Sequence, residues 1–215
     1  MADGFLIAFE GIDGTGKSTQ IRMLADRLSE LGLDDIVITR EPTDGPYGKK
    51  IRSLFASRDQ LTPEEELALF MDDRRQHVKE LILPALERGA VVLTDRYYFS
   101  TAAYQGAAGH DPQIILTANE EFAPVPGLVI LLDLAPEESV RRIRELRGEA
   151  LNDFEQQDYL RAVATVFDSF RMDYVKHVDA SLSLEKVHER VAELACELFN
   201  DKSLLSGSGS QAARI

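Results

Sequence analysis

Short apolar runs alternate with long amphipathic stretches along this chain of 215 residues. The apolar runs predict β-strands, and the stretches between them carry the three- to four-residue spacing of helices. The strands are predicted at about residues 5–10, 35–40, 90–95, 127–134 and 174–179. The helices are predicted at about residues 17–31, 46–57, 63–88, 98–107, 111–122, 136–147, 155–172 and 183–199. The alternation predicts an α/β protein, a three-layer sandwich with a five-stranded parallel sheet flanked by helices.

Particular residue types mark the helix ends. Thr62 suits an N-cap and Pro63 the first helical position, and acidic residues follow in the first turn. Asp111-Pro112 repeats this start signal. The sequence shows no internal repeat and no linker that would divide the chain into domains. The residues at the C-terminus have no hydrophobic periodicity. We therefore expect a single domain over residues 1–199 and a flexible tail over residues 200–215.

The first predicted strand leads directly into GIDGTGKST, which carries the phosphate-binding signature G-x-x-x-x-G-K-[ST]. A strand that delivers a glycine loop to a helix N-terminus lets backbone N–H groups surround an anion. Lys17 would reach the β- and γ-phosphates of a nucleotide, and the Ser18 hydroxyl would bind Mg²⁺. The candidate nucleotide-binding residues are Gly11, Ile12, Asp13, Gly14, Thr15, Gly16, Lys17, Ser18 and Thr19.

The segment Thr94-Asp95-Arg96-Tyr97 ends the third predicted strand, at the edge where open parallel sheets bind ligands. Asp95 could hold Mg²⁺ through water, and Arg96 could bind a second phosphate through two parallel hydrogen bonds. An ordinary surface salt bridge is the alternative. The aromatic, helix-starting sequence that follows favours the functional interpretation.

Phe70 and Arg74 are four residues apart in a predicted helix and share one face. An aromatic ring beside a guanidinium can stack on a base and donate to its carbonyl edge. Both residues also suit structural roles, Phe70 in the core and Arg74 in an ion pair with Asp73 or Glu66. This pair alone does not decide between the two interpretations.

Two further basic segments accompany these motifs. Arg52, which follows Arg40-Glu41-Pro42-Thr43 at the end of the second strand, is a candidate anchor for an acceptor phosphate. The densest basic stretch contains Arg141, Arg142, Arg144 and Arg147. These four side chains cannot all face one way on a helix, so we expect Arg141 and Arg142 at the surface. Arg144 and Arg147 would belong to a short lid, about residues 144–154, that closes over a nucleotide.

The composition limits the classes of partner. The formal net charge is −13, from 24 Lys and Arg against 37 Asp and Glu. Nucleic acids and anionic membranes are held by basic surfaces, so we expect neither as a partner. The apolar run at residues 5–9 is too short for a signal peptide, and the sequence has no apolar stretch of membrane-spanning length. A single cysteine excludes an internal disulfide, and we expect a cytoplasmic protein.

Together these segments resemble the thymidylate kinase family from about residue 5 to about residue 175. The matching motifs are Glu10 to Thr19, Arg40-Glu41-Pro42-Thr43, Phe70 with Asp73-Arg74, and Asp95-Arg96-Tyr97 through Ala103-Tyr104-Gln105-Gly106. The last of these is the most specific. The resemblance implies a P-loop kinase that transfers the γ-phosphoryl group of ATP to dTMP, with Mg²⁺ as cofactor, and it implies a homodimer.

The resemblance also implies roles for residues of a base pocket. Phe70 would stack on thymine, and Arg74 would donate a hydrogen bond to a thymine carbonyl. Thr101 and Gln105 would complete the pocket. Tyr104 would crowd the 2′ position of the sugar and favour deoxyribose.

The same resemblance places Asp13 near the sugar 3′-hydroxyl and the metal, and assigns the monophosphate to Arg96, Arg52 and Arg40. One subgroup of the family carries an arginine within the phosphate loop, and this loop has none, so the lid would supply the positive charge. The predicted catalytic residues are Lys17, Arg96, Arg144 and Arg147. An acceptor phosphate is already ionised at neutral pH, so no general base is expected. The histidines are predicted to lie at the surface: His77, His110, His177 and His188.

Two other classes of function remain open at this point. Another nucleotide or nucleoside kinase would share the phosphate loop, although it would not need Phe70, Arg74 and Gln105 in this pattern. A GTP-dependent switch would need a guanine-reading N-K-x-D or T-K-x-D element, and the sequence contains neither.

Overall fold

The computed structural model describes residues 4–54, 61–147 and 156–201. Within these ranges the chain forms five strands, each ending within one residue of its prediction. They are β1 (Phe5–Glu10), β2 (Ile36–Arg40), β3 (Val91–Asp95), β4 (Leu128–Asp133) and β5 (Val175–Asp179). All residues of β1 are buried, as expected for a central strand covered on both faces.

The sheet is parallel throughout, with the strand order β2-β3-β1-β4-β5. The central strand β1 pairs with β3 on one side, where Phe9 lies opposite Asp95, and with β4 on the other. The carboxyl end of β1 therefore opens between β3 and β4, at the point where the chain reverses its direction of winding. Sheets of this kind bind ligands there.

The helices follow the predicted order. They are α1 (Lys17–Glu30), α2 (Pro46–Leu54), α3 (Pro63–His77), α4 (Leu83–Glu87), α5 (Tyr98–Ala107), α6 (Pro112–Glu120), α7 (Pro136–Arg147), α8 (Gln157–Phe167) and α9 (Leu184–Asp201). A π-helical turn, Val78–Ile82, joins α3 to α4, so the long helix predicted over residues 63–88 is one continuous helical segment. None of the helices within the described ranges combines the length and the apolar character needed to cross a membrane.

Some boundaries differ from the predictions, and others lie outside the described residues. Helix α8 ends at Phe167, five residues before its predicted end, and α9 continues through Asp201. The end of the second predicted helix, residues 55–57, lies outside the described residues. So do residues 148–154 of the predicted lid, residue 155 at the start of the next predicted helix, and residues 202–215 of the predicted tail.

The predicted start signals act as caps. The Thr62 hydroxyl accepts a hydrogen bond from the Glu65 N–H at 3.2 Å, and the Glu65 carboxylate accepts one from the Thr62 N–H at 2.9 Å. This reciprocal pair is a capping box, and it satisfies N–H groups that the first turn of α3 leaves without helical partners. Asp111 accepts hydrogen bonds from the first turn of α6 in the same way.

Helices cover both faces of the sheet, which confirms the three-layer sandwich. On one face, Ile21 and Leu24 of α1 and Val191 of α9 pack with Ile7 and Phe9 of β1. The opposite face is covered by the helical segment that begins at Val78 and by α5, α6 and α8. Because alternate residues of β1 enter the two cores, the strand is held firmly where it delivers the phosphate loop.

Candidate active site

The phosphate loop takes the backbone conformation that its glycines permit. Gly11, Gly14 and Gly16 have φ angles of 129°, 75° and 92°, in the region that side chains rarely allow. Gly11 is required for a second reason, because a Cβ there would lie 2.5 Å from the carbonyl oxygen of Leu132 in β4. The loop thus packs closely against β4. It ends at the N-terminus of α1, and the backbone N–H groups at a helix N-terminus can bind anions.

Lys17 is buried and folds back over this loop. Its Nζ donates to the carbonyl oxygens of Gly11 at 3.1 Å and Ile12 at 2.8 Å, and to Oγ1 of Thr15 at 3.4 Å. Burial lowers the pKa of Lys17 to about 8, and the neighbouring charge of Arg96 acts in the same direction. The ammonium group therefore stays mostly charged at neutral pH while lying within the loop that would hold phosphates.

The two predicted metal-binding residues lie together. The hydroxyl of Ser18, at the start of α1, donates to Oδ2 of Asp95, at the end of β3. A hydroxyl and a carboxylate are oxygen donors of the kind that Mg²⁺ prefers. The donor set at this position therefore fits a magnesium ion beside the phosphate loop.

Arg96 has a strained backbone. Its φ of 72° is the one positive value at a non-glycine residue within the described parts of the chain. Its N–H donates to the Phe9 carbonyl oxygen at 2.9 Å, and its own carbonyl oxygen accepts from the Thr94 hydroxyl at 2.8 Å. Such strain persists only where surrounding contacts fix the backbone, and it is concentrated at functional sites.

The Arg96 side chain lies against the phosphate loop. Its Nη1 donates to the Gly11 carbonyl oxygen at 3.1 Å and to the Ser100 hydroxyl at 2.8 Å, and its Nη2 donates to Oδ1 of Asp13 at 2.8 Å. Burial opposes ionisation of Asp13, but the charges of Arg96 and Lys17 outweigh it and lower the pKa of that carboxyl. The site thus holds two cations around one carboxylate.

Arg74 is almost completely buried, 1% exposed. Its Nε and Nη2 both donate to Oε2 of Glu41, at 2.9 and 2.5 Å, so its ion-pair partner is neither Asp73 nor Glu66. Its Nη2 also donates to the Thr101 hydroxyl at 2.9 Å, and its Nη1 donates to Oδ1 of Asn119 at 2.7 Å. Local spacing could not indicate Glu41 or Asn119, because each is more than thirty residues from Arg74 along the chain.

The residues of the predicted base pocket lie on α3 and α5, and a hydrogen bond from Arg74 to Thr101 joins the two helices. Phe70 lies half-buried one turn before Arg74, and Thr101, Tyr104 and Gln105 are buried on α5. Gln105 is fully buried, yet neither its amide nitrogen nor its amide oxygen has a hydrogen-bond partner in the described structure. A buried amide with both ends unsatisfied is costly unless a ligand completes it. Tyr104 donates to Oδ2 of Asp13 at 3.2 Å, which links this pocket to the phosphate loop.

Arg40 and Arg52 share one carboxylate at the end of β2. Arg40 Nη2 lies 2.8 Å and Arg52 Nη2 3.0 Å from Oδ1 of Asp44. Arg52 Nη1 also donates to the carbonyl oxygen of Pro42 at 2.8 Å, and the Glu41–Pro42 peptide bond is cis. Arg40 lines a cleft of about 680 Å³, together with Ser18, Asp44, His77 and Asp95.

Helix α7 carries the four arginines of the basic stretch. Arg141 is exposed and pairs with Glu138 and Glu145, as predicted for a surface residue. Arg142 is partly exposed; it pairs with Glu138 at 3.0 Å, and its Nη2 donates to the Ala180 carbonyl oxygen at 3.1 Å. Arg144 is exposed, and the side chain of Arg147 lies outside the described structure.

The prediction that His77 lies at the surface is wrong. This residue is 5% exposed, its Nδ1 lies 2.9 Å from Oε1 of Glu41, and its Nε2 lies 2.7 Å from Oγ1 of Thr39. Sequence reasoning missed it because its partners lie on β2 and in the loop that follows β2. The only local signal is its position three residues after Arg74, on the same helix face.

This fold and site define a P-loop protein that has a phosphate loop at a sheet switch point and a second, arginine-rich pocket beside it. The comparisons with known proteins then identify the family. A family model described as thymidylate kinase matches residues 9–191, and the chain belongs to the thymidylate kinase family.

Curated relatives span nearly the whole chain. A thymidylate kinase of Desulfotalea psychrophila is 51% identical over 188 residues, which cover 87% of this chain and 92% of the relative. A thymidylate kinase of Akkermansia muciniphila is 48% identical over 198 residues, covering 92% and 94%. A probable thymidylate kinase of Archaeoglobus fulgidus is 46% identical over 197 residues, covering 92% and 97%.

Proposed function

We propose that this protein is a dTMP kinase that transfers the γ-phosphoryl group of ATP to dTMP and forms dTDP. The observation that carries the proposal is the meeting of two pockets at one sheet edge. Asp13 of the phosphate loop contacts both Arg96 and Tyr104, and α5 carries Tyr104 next to the unsatisfied Gln105. Membership in the thymidylate kinase family supports the same reaction.

On the donor side, the loop from Gly11 to Thr19 would hold the ATP phosphates with its N–H groups, and Lys17 would contact the β- and γ-phosphates. Ser18 and Asp95 would hold Mg²⁺, Asp95 through water. When bound, the ion neutralises charge on the phosphate oxygens. The carboxylate–hydroxyl contact between these two residues supports this assignment.

On the acceptor side, Phe70 would stack on thymine, while Arg74, Thr101 and Gln105 would form a polar wall around the base edge. The two unsatisfied amide atoms of Gln105 support a base with both donor and acceptor groups. Tyr104 would contact the sugar at its 2′ position, and Asp13 would accept a hydrogen bond from the 3′-hydroxyl.

Arg96, Arg52 and Arg40 would hold the phosphate of dTMP. Phosphoryl transfer asks the protein to bring two anions into line and to neutralise their charge, with little covalent chemistry of its own. Lys17 and Arg96 would do this from the loop side. Arg144 and Arg147 would do it from a lid over about residues 144–154. The attacking phosphate oxygen needs no general base.

A coupled assay of ADP formation with dTMP, dUMP, dCMP, AMP and thymidine as acceptors tests the proposal. We expect dTMP to be preferred over dCMP by about 100-fold or more in kcat/KM, because the exocyclic amine of cytosine would face the donors of Arg74. Thymidine should be inactive, since it lacks the phosphate that attacks ATP. A preference for AMP or dCMP would instead support another nucleotide kinase.

We also propose a single domain followed by a flexible tail, a cytoplasmic location, a homodimer and no nucleic-acid or membrane partner. The acidic balance of −13 supports the last point. Sedimentation equilibrium should give about twice the chain mass of 24.0 kDa at micromolar concentration. A mass that stays at the monomer value would contradict the dimer without affecting the proposed reaction.

A further inference from the structure

We propose that His77 and Glu41 form a positioning pair that fixes the guanidinium of Arg74 and thereby sets the preference for a pyrimidine with a carbonyl edge. The inference rests on the proposed function, and it concerns two residues that touch neither the phosphate loop nor the expected base. It is carried by one continuous set of buried hydrogen bonds.

Arg74 is held from several sides. A guanidinium has five N–H groups. Four donor contacts are made here: two to Glu41 and one each to Thr101 and Asn119. The Asn119 amide is itself oriented, since its Nδ2 donates to the Ile115 carbonyl oxygen at 2.7 Å. One N–H on Nη1 remains beyond these contacts, and its direction is fixed by the plane of the guanidinium. The Tyr97 ring lies beside that plane, 5.5 Å from Cζ.

Glu41 is the centre of this arrangement. Its carboxylate is 5% exposed, and its Oε2 takes both hydrogen bonds from Arg74, which leaves Oε1 for His77. Its backbone N–H donates to the Asp95 carbonyl oxygen at 3.0 Å, so the residue is fixed to the end of β3. Burial alone would raise the pKa of the Glu41 carboxyl, but Arg74 and His77 outweigh it and lower that pKa, so the group is ionised.

His77 completes the support from the other side. An ionised carboxylate only accepts hydrogen bonds, so Nδ1 of His77 carries the proton that faces Oε1 of Glu41. Nε2 contacts the Thr39 hydroxyl of β2, and this second contact fixes the ring. His77 and Arg74 leave α3 on one face and meet at opposite oxygens of the same carboxylate. Loss of the Nδ1 donor would let that carboxylate rotate and take the Arg74 plane with it.

The consequence is chemical selectivity. A fixed N–H donor matches a carbonyl oxygen on the base and opposes an amino group at the same place. If the guanidinium plane is free to turn, both kinds of base can be accommodated, and the correct one is held less tightly. The pair therefore affects KM for dTMP and the ratio of dTMP to dCMP turnover, whereas kcat depends on Lys17 and Arg96.

Two amide substitutions at one position separate this role from a merely structural one. The nitrogen of Asn in His77→Asn takes the place of Nδ1, and the nitrogen of Gln in His77→Gln takes the place of Nε2. Both variants lose an imidazole and place an amide in the same buried space. His188→Gln in α9, on the opposite face of the sheet, is the control for a histidine-to-amide change.

Steady-state kinetics with ATP and either dTMP or dCMP give the result. We expect His77→Asn to keep KM for dTMP within about 3-fold of the wild-type value. His77→Gln should raise KM for dTMP by about 10-fold or more, which is the range for a lost hydrogen bond to a charged group. The dTMP to dCMP ratio of kcat/KM should fall with it, and kcat should change by less than about 3-fold.

The inference is overturned if the two amides behave alike, or if the loss in His77→Gln falls on kcat with KM and the dTMP to dCMP ratio unchanged. Those results leave the proposed reaction intact. If the wild-type protein does not phosphorylate dTMP, the proposed function fails, and the positioning role fails with it.

Discussion

Lys17 is the residue whose environment is most unusual for its type, a buried ammonium that donates to two carbonyl oxygens of its own loop. Its pKa of about 8 keeps it charged at neutral pH, so it can share the charge of the transferred phosphoryl group. Lys17→Ala should lower kcat by about 10²–10³, as for loss of one preorganised donor in an active site.

The control for Lys17 is Lys186→Ala, which removes an exposed lysine on α9 and should leave kcat within about 2-fold of the wild-type value. The readout is the initial rate of ADP formation at saturating ATP and dTMP. A Lys17→Ala protein with near-normal kcat would exclude the assigned role of this residue.

Glu10 gives the molecule a pH-dependent stability. It is fully buried beneath the Arg96 loop, where it accepts hydrogen bonds from the N–H groups of Tyr97 and Ser100 at 2.8 and 3.2 Å. Burial outweighs these bonds and raises its pKa from 4.5 to about 7. The folded protein therefore binds a proton at Glu10 more tightly than the unfolded chain does. The contribution of Glu10 to stability is fully present below about pH 4.5 and is lost as the pH rises to about 7.

Glu10→Gln isolates this effect, because the amide stays neutral at every pH. We expect the variant to gain stability relative to wild type between pH 5 and pH 8, by up to about 3 kcal/mol from a shift of 4.5 to about 7. Urea unfolding at a series of pH values measures the difference. A difference between the two proteins that is constant over this range would mean that Glu10 is ionised in the fold at pH 5.

At the scale of elements, the capping box stabilises the first turn of α3, before the site residues that this helix carries. Thr62→Ala removes the acceptor for the Glu65 N–H and should lower the free energy of unfolding by about 1 kcal/mol. The values of kcat and KM should not change, since the hydrogen bonds of Thr62 lie within the first turn of α3. Urea unfolding and the dTMP assay on the same preparation check both parts. Unchanged stability would show that the cap contributes nothing.

Most of the strands and helices could be predicted from the sequence, because the hydrophobic pattern of each element is a local signal. The apolar runs and the glycine loop located β1, the phosphate loop and α1, and Thr62 located the start of α3. The end of α8 was predicted too late. Phe170 follows Phe167 at the three-residue spacing of a helix and is buried in the core, and that pattern does not distinguish a helix end from a buried turn.

The site divides in the same way. The sequence located Arg74, Arg96 and Gln105 because they sit in motifs, and the structure brings Arg96 to the loop and Arg74 to α5. The sequence could not indicate Glu41 and His77 as partners of Arg74, because their contacts depend on how the end of β2 lies beside α3. Long-range polar pairs leave no periodic trace in a sequence.

At the scale of the whole molecule, an acidic protein places three buried or mostly buried cations, Lys17, Arg74 and Arg96, near one edge of the sheet. Arg96 pairs there with Asp13, Arg74 pairs with Glu41, and Lys17 lies within the phosphate loop. The net charge of −13 is screened over about 8 Å at physiological salt. The central claim is that this edge holds a triphosphate donor and a thymidine monophosphate acceptor at the same time.

A crystal structure with dTMP and a non-hydrolysable ATP analogue tests that claim most directly. We predict the thymine ring against Phe70 with a carbonyl oxygen facing Arg74, the dTMP phosphate at Arg96, and the analogue's phosphates in the loop from Gly11 to Thr19. A structure in which dTMP lies away from both Arg74 and Arg96 would contradict it.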